Sequence, residues 1–145
     1  MGFVVYYRST RLVTDDEAAA LQGAADEASK GRTWLSCESP RFYDDRDLGR
    51  IWGGSKPNFT PDPADAASAA EMGLPDGDLH SLVEVLSLLS RQHGIDWEFR
   101  HDEMDWSVGS IRDGVADEDL LGTIDALTGL AEALREMEEF GDDFS

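Results

Sequence analysis

The order of apolar and polar positions along the chain predicts its strands. Residues Phe3–Tyr7 are apolar on both faces of an extended chain and rich in β-forming side chains, which predicts a strand with a partner on each side. Between Ile95 and His101, apolar residues alternate with polar ones, which predicts a strand with one buried and one solvated face. Trp106–Ile111 is expected to return beside it as a hairpin partner. Half-solvated alternation of this kind is typical of an antiparallel sheet.

Helical spacing and helix-end signals predict three main helices. A capping-box sequence at Thr14–Glu17 opens the first, which carries a thin alanine-rich stripe and is expected to end at Gly31. Leucine and valine recur with helical period over Leu79–Leu89, before a stop at Gly94. The acidic run Asp117–Asp119 opens the last helix, because carboxylates are favoured at the positive end of the helix dipole. A shorter helix over Ala64–Met72 is expected inside a proline-rich connection.

The middle of the chain is predicted to supply further strands. Thr33–Glu38 is expected to be one strand, and Arg41–Tyr43 with Arg50–Trp52 is expected to form a hairpin around the loop Asp44–Gly49. The complete order predicts an α+β fold, a mainly antiparallel sheet of about five or six strands with three main helices on one face. This order can contain a ferredoxin-like split βαβ unit. No internal repeat is visible in the 145 residues, so we expect a single domain over residues 1–145.

Composition and charge narrow the classes of partner. The chain is 41% hydrophobic, which is too apolar for a disordered protein, and its net charge is −19. Nucleic acids and anionic membranes bind through basic patches, so we expect neither as a partner. The lone Cys37 cannot form an internal disulfide, and the N-terminus lacks a basic signal-peptide region. These features predict a cytoplasmic protein.

The charge is unevenly distributed. Residues 113–145 hold eleven acidic side chains against Arg135 alone, whereas residues 32–56 hold five basic and four acidic side chains. The second segment is also rich in aromatic residues, which together with arginine are favoured in binding interfaces. The same aromatic residues could equally belong to the core. The chain therefore has one acidic end and one nearly neutral, aromatic segment.

Three motifs resemble catalytic or ligand sites and fall short of them. In Gly53–Phe59 the lysine follows serine and precedes proline, so the segment departs from a phosphate-binding loop, and a glycine-rich strand end is the favoured interpretation. The aspartates of Asp44–Asp47 lack the spacing of a calcium loop and fit a solvated turn. A Cys37–His101 dyad has no sequence support for proximity, and an inert thiol is commoner. We predict no catalytic residue, metal site or cofactor.

Two surfaces remain as candidates for function. The leading hypothesis is a non-catalytic acidic interaction module, similar to immunity or inhibitor proteins, that binds a basic protein partner through its C-terminal acids. The alternative is a small enzyme or anionic-ligand-binding domain that uses the segment Arg32–Phe59. A third interpretation is that the acidity reflects only the proteome of the organism. The partner-binding candidates are Glu136, Glu138, Glu139, Asp142 and Asp143, and the ligand-binding candidates are Arg41, Tyr43, Trp52, Ser55, Lys56 and Asn58.

Overall fold

A computed structural model describes residues 4–57, 63–101 and 108–129 of the protein. Within them, five strands form one antiparallel sheet, and four helices pack alongside it. None of these helices is both long and apolar enough to cross a membrane. The strands are β1 (Val5–Ser9), β2 (Trp52–Ser55), β3 (Trp97–His101), β4 (Gly109–Arg112) and β5 (Val115–Ala116). The helices are α1 (Asp15–Ser29), α2 (Pro63–Met72), α3 (Leu79–His93) and α4, helical over 118–129.

The strand order confirms the predicted fold class. The sheet runs β2-β1-β3-β4-β5, and every neighbouring pair is antiparallel. β1 has a partner on each side, as its composition predicts. Because β2 and β3 are both antiparallel to β1, they run parallel to each other with β1 between them. The chain passes from β2 to β3 through α2 and α3, so these elements form the expected split βαβ unit.

The core lies on one face of the sheet. Alternate residues of β1 and β3, including Tyr7, Trp97 and Phe99, are fully buried there. Helix α3 covers them with a stripe of leucines, and the Trp97 indole donates a 3.1 Å hydrogen bond to the carbonyl of Leu86. A fully buried large apolar side chain stabilises the fold by about 2 kcal/mol, so this layer dominates stability. The core consists mainly of Val5, Tyr7, Leu21, Ile51, Leu82, Leu86, Leu89, Ile95, Trp97, Phe99, Ile111, Leu120 and Ile124.

The helix starts predicted from local sequence signals are confirmed. Thr14 and Glu17 form a reciprocal capping box, with hydrogen bonds of 3.1 and 3.3 Å between side chain and backbone. Helix α3 ends at His93 and is capped by Gly94, whose φ of 62° is the left-handed conformation that glycine adopts easily. At the start of α4, Asp117 accepts a 2.8 Å hydrogen bond from the amide of Leu120. Each cap satisfies a backbone donor or acceptor that would otherwise lack a partner.

The prediction of a strand over Thr33–Glu38 is wrong. This segment makes only an isolated bridge between Cys37 and Pro57. Most of its backbone amides bond the loop 75–77 instead: Leu35 and Ser36 donate to the carboxylate of Asp76 at 2.8 and 3.1 Å, and Thr33 donates to the carbonyl of Pro75 at 3.0 Å. Because a distant loop satisfies these donors, the segment has no need of a strand partner.

The predicted hairpin at Arg41–Tyr43 and Arg50–Trp52 forms only in part. The two segments lie side by side, and the amide of Tyr43 donates a 3.0 Å hydrogen bond to the carbonyl of Trp52. However, the regular strand on this side begins at Trp52, and Arg41–Tyr43 contributes one isolated bridge. The β4 strand confirms the return expected of Trp106–Ile111, although residues 102–107 lie outside the described part of the chain.

Candidate functional site

An aromatic cluster formed by Tyr6, Tyr43 and Trp52 lies on the face of the sheet opposite the core. Tyr6 and Trp52 point to this open face from neighbouring strands, with ring centroids 6.2 Å apart. Tyr43 reaches over β2, and its ring meets Trp52 edge-on at 4.3 Å. Partial burial, with Tyr6 and Glu38 nearby, raises the pKa of Tyr43, so its hydroxyl stays protonated and able to donate.

The glycine pair of β2 makes room for this arrangement. A Cβ atom on Gly54 would lie 2.7 Å from the Tyr43 hydroxyl, and one on Gly53 would collide with the backbone carbonyl of Arg41. Glycines in a strand interior often mark such close approaches of another chain segment. The Gly53-Gly54 sequence therefore belongs to a strand, which confirms that interpretation over a phosphate-binding loop.

An ion-pair bridge borders the aromatic cluster. The Arg8 guanidinium donates to Asp47 at 2.8 Å and to Glu98 at 3.3 Å, and Arg8 stands directly opposite Trp52 in the pairing of β1 with β2. The hydrogen bond to Asp47, followed by the bond to Glu98, raises the pKa of Arg8 although burial opposes this shift. The bridge holds the loop 44–50 against the sheet. It also engages Asp47, one of the three loop aspartates that were weighed as calcium ligands.

Three donor nitrogens near this cluster have no acceptor among the described residues. They are the Nε atoms of Arg8 and Arg46 and the indole Nε1 of Trp52, and all three are shielded from solvent. Arg46 lies in the loop beside Tyr43, whose carbonyl accepts a 3.3 Å hydrogen bond from its guanidinium. Donors without acceptors suit an anionic or carbonyl group, although a ligand could reach them only if the loop moved.

Ser55 lies on the core side of the sheet, away from Tyr43 and Trp52. The amide of Arg41 donates to the Tyr7 hydroxyl at 2.8 Å, the Tyr7 hydroxyl lies 2.9 Å from the Ser55 hydroxyl, and Ser55 donates to the carbonyl of Ser39 at 3.0 Å. We call these four residues the Tyr7 network. Burial raises the pKa of Tyr7 despite these bonds, so the phenol remains a neutral donor. The network ties residues 39–41 to β1 and β2.

The structure therefore brings together only part of the predicted ligand-binding set. Tyr43 and Trp52 contact each other on the open face, whereas Ser55 faces the core. Arg41 and Lys56 are exposed, and the backbone amide of Lys56 donates to Glu38 at 2.8 Å. Asn58 lies outside the described residues. Tyr6 and Arg8, which β1 contributes to the same face, were not predicted, because they lie outside the continuous segment 32–59 and join it only through the pairing of β1 with β2.

Cys37 is almost fully buried. Burial, followed by the charges of Glu38, Asp78 and Asp76, raises the pKa of its thiol to about 12. A thiol must be deprotonated to act as a nucleophile, so both the burial of Cys37 and its raised pKa oppose nucleophilic reactivity at neutral pH. The side chain of His101 lies outside the described part, so the dyad with Cys37 stays without a geometric test. Among the described residues, no group of three His, Cys, Asp or Glu side chains is arranged to hold a metal ion.

The predicted partner-binding acids Glu136, Glu138, Glu139, Asp142 and Asp143 lie outside the described residues, but α4 leads into them. Leu120 and Ile124 of α4 are buried in the core, whereas Glu118 and Asp119 are exposed. Asp125, also exposed, lies 3.1 Å from the ring nitrogen of His80 on α3. The described start of the acidic C-terminal segment is thus packed on the domain with carboxylates toward solvent.

An exposed apolar pair that sequence periodicity did not indicate stands at the turn after Asp47. Leu48 is 88% exposed and Leu12 is 66% exposed. The two residues belong to segments joined by a 3.0 Å hydrogen bond from the amide of Val13 to the carbonyl of Gly49. We call Leu12 and Leu48 the apolar tip. Its signal in the sequence is a leucine directly before glycine inside a polar loop, where asparagine or aspartate is usual.

Comparison with known proteins does not add to this description. No protein-family model matches the chain, and no curated protein or solved structure is significantly similar to it. The function must therefore be inferred from the arrangement of the residues.

Proposed function

We propose that this protein is a non-catalytic, acidic interaction module that binds a basic protein partner, as immunity and inhibitor proteins do. The observation that supports the proposal is the packing of α4. Its apolar residues Leu120 and Ile124 anchor it in the core, so the acidic segment that it opens is attached to a folded platform. The exposed acids of the described part of α4, Glu118, Asp119 and Asp125, are thereby held on the folded domain, and a charged group held in place loses less conformational entropy on binding than one on a free tail.

The charge of the chain defines the chemistry of the partner. Carboxylates concentrated at one end attract a basic surface, which accelerates association and disfavours acidic competitors. This attraction is screened over about 8 Å at physiological salt, so binding is expected to weaken as salt increases. The cytoplasm is the compartment that we propose, because an unpaired cysteine is typical of a reducing environment.

The test is a quantitative capture experiment with a charge-matched control. Tagged protein is incubated with soluble lysate of the source organism, and captured proteins are quantified by mass spectrometry at two salt concentrations. The test variant replaces the five C-terminal acids by their amides, at Glu136, Glu138, Glu139, Asp142 and Asp143. The control variant makes the same change in charge on exposed acids elsewhere, at Asp26, Glu27, Asp65, Glu71 and Glu84.

We expect the wild type and the control variant to capture the same basic protein, and the test variant to recover about tenfold less of it, a loss worth about 1.4 kcal/mol. Recovery by the wild type should also fall at high salt. Equal recovery by both variants, or the absence of any basic protein among the captured ones, would contradict the proposal.

The alternative is an anionic-ligand-binding domain that uses the segment Arg32–Phe59, and the three donor nitrogens without acceptors favour it. Phosphate and acetate are the probes, added to isotope-labelled protein while the indole N–H signal of Trp52 is followed by NMR. A saturable shift of that signal, absent from the signal of the buried Trp97 indole, would support the alternative. An unchanged Trp52 signal at millimolar concentrations of both anions would exclude it.

A further inference from the structure

A tight turn presents Leu48 at its outermost point. Asp47 and Arg50 exchange two backbone hydrogen bonds of 2.9 Å, so Leu48 and Gly49 are the two central residues of the turn. Their φ angles are 50° and 83°. Positive φ at both central positions is the pattern of a type I′ hairpin turn. The Leu48 side chain projects from it into solvent.

Leucine is an unfavourable residue for this position in the isolated protein. A bulky side chain in the left-handed region is strained, whereas asparagine and glycine adopt that conformation readily. Because Leu48 is exposed, the isolated protein also lacks the favourable free energy that burial of its apolar surface would provide. A singly exposed leucine is common on protein surfaces. Leu48 differs from such residues because its backbone is strained as well, and strained positions are concentrated at functional sites.

The same chain makes the equivalent turn elsewhere with favoured residues. Between β4 and β5, Asp113 and Gly114 occupy the two central positions, with φ angles of 52° and 78°. Asp-Gly is among the pairs that type I′ turns prefer. The geometry of the turn at residues 47–50 therefore does not require a leucine. The presence of leucine at this position must have a reason outside the turn itself.

The surroundings of the apolar tip indicate what would meet it. Asp44 and Asp45 in the same loop and Asp16 at the start of α1 are exposed and form no ion pair within the described residues. Of the nearby arginines, Arg8 pairs with Asp47, Arg11 with Glu17 and Arg46 with Asp15, whereas Arg50 of the turn itself forms no ion pair among the described residues, so three unpaired carboxylates face one unpaired guanidinium. The tip is thus an apolar projection with an acidic rim. A positively charged surface is complementary to this rim.

We propose that Leu48 is an anchor residue of the interface, and that it inserts into an apolar pocket on the basic surface of the partner protein. The proposal rests on the proposed function and identifies a surface that contacts the partner in addition to the C-terminal acids. Binding would bury the leucine, and this gain would compensate for the strain of the turn. A few side chains that fill pockets at the centre of an interface, shielded by the surrounding contacts, commonly dominate its affinity.

The experiment compares three single variants in binding and in stability. The basic protein captured by the wild type is purified and titrated calorimetrically with the full-length wild type, Leu48→Asn, Leu48→Met and Met72→Asn. Met72 is the control because it is as exposed as Leu12, at 66%, and ends α2 outside the apolar tip. Thermal unfolding of each variant without the partner is measured in parallel.

Leu48→Asn is expected to weaken binding about tenfold while raising the Tm by about 3 °C, since asparagine relieves the strain but cannot fill an apolar pocket. Leu48→Met should retain most of the affinity, and Met72→Asn should match the wild type. A decrease in both affinity and Tm for Leu48→Asn would indicate a merely structural role and overturn the inference.

The other outcomes separate this inference from the proposed function. If Leu48→Asn binds as tightly as the wild type while the C-terminal variant loses binding, the anchor is refuted and the proposed function stands. If the wild type captures no basic protein, both are refuted. If light scattering shows a dimer of the wild type that Leu48→Asn dissociates, the occupant is a second copy of this chain and the inference is wrong.

Discussion

Removing the hydroxyl of Tyr7 tests whether the Tyr7 network stabilises the fold. Tyr7→Phe keeps the ring, which lies in the core at 5.8 Å from Phe42 and 6.0 Å from Phe99, and deletes only the oxygen. The amide of Arg41 then loses its acceptor, and Ser55 loses the group 2.9 Å from its hydroxyl. Because Ser55 keeps its bond to Ser39, the network is interrupted at one point.

The Tyr7 hydroxyl also lies within donating distance of the Arg41 carbonyl, at 3.3 Å, so three contacts disappear, and the two shorter ones dominate the expected loss. An intramolecular hydrogen bond contributes about 1 kcal/mol net, and a buried donor left without an acceptor costs about 1–3 kcal/mol. Arg41 is exposed as a residue, which moderates the second contribution. We therefore expect Tyr7→Phe to lower the free energy of unfolding by about 2 kcal/mol. For a domain of this size, that corresponds to a decrease in Tm of about 8 °C.

Urea denaturation followed by tryptophan fluorescence measures this loss. Tyr6→Phe is the matched control, because Tyr6 lies beside Tyr7 on β1 and its hydroxyl forms no hydrogen bond in the described part of the structure. The control should change the free energy of unfolding by less than about 0.5 kcal/mol. Equal stability of the two variants would refute the reasoning, because the Tyr7 hydroxyl would then contribute no more to the free energy of unfolding than the Tyr6 hydroxyl does.

Three further predictions address other parts of the fold. Gly109→Ala should destabilise the protein by about 3 kcal/mol because its Cβ would collide with Leu120. Gly122→Ala has open space around its Cβ and should stabilise α4 by up to about 1 kcal/mol. Thermal unfolding of both variants distinguishes the two effects. Asp117→Ala should cost about 2 kcal/mol in urea denaturation because the carboxylate bonds the amides of both Leu120 and Ser110, and Asp117→Asn should cost less. Between about pH 9 and pH 12 the unfolded chain releases the Cys37 proton while the folded protein retains it, so stability falls with rising pH. Cys37→Ala should reduce this slope by up to about 1.4 kcal/mol per pH unit, and an unchanged slope in pH-dependent denaturation would contradict the shift.

The helices were predictable because their signals are local. The capping box at Thr14, the leucine stripe after Asp78 and the stop at Gly94 each act within a few residues, and the structure confirms all three. The alternation after Ile95 was equally informative, since Trp97 and Phe99 face the core as their spacing predicts. The prediction of a strand over Thr33–Glu38 failed because β-forming composition describes only the segment itself. It does not determine whether a neighbouring strand is available to pair with it. The loop that carries Asp76, about forty residues away, accepts the amides of Thr33, Leu35 and Ser36.

The candidate sites show the same difference between what local sequence signals predict and what tertiary contacts decide. Tyr43 and Trp52 could be selected from composition, but Tyr6 and Arg8 join them only because β1 pairs with β2. Ser55 is adjacent to Lys56 in the sequence, but the alternation of the strand turns its side chain to the face opposite Trp52. Side chains adjacent in sequence separate across a sheet, whereas side chains distant in sequence meet on one face. Spacing along the chain cannot reveal the second relationship.

The sequence by itself determined the α+β class, the starts of α1, α3 and α4, the Gly94 cap of α3 and the concentration of acidic charge after Asp113, because each depends on residue type within a short window. The end of α1 was predicted less well, since the helix stops at Ser29 with Lys30 as its cap and not at Gly31. Tertiary structure decided which face of the sheet is covered, which glycines accommodate another segment, and that Leu12 lies beside the turn that carries Leu48. These features depend on contacts between segments far apart in the chain. Such contacts are selected by the packing of the whole core, and no local preference specifies them.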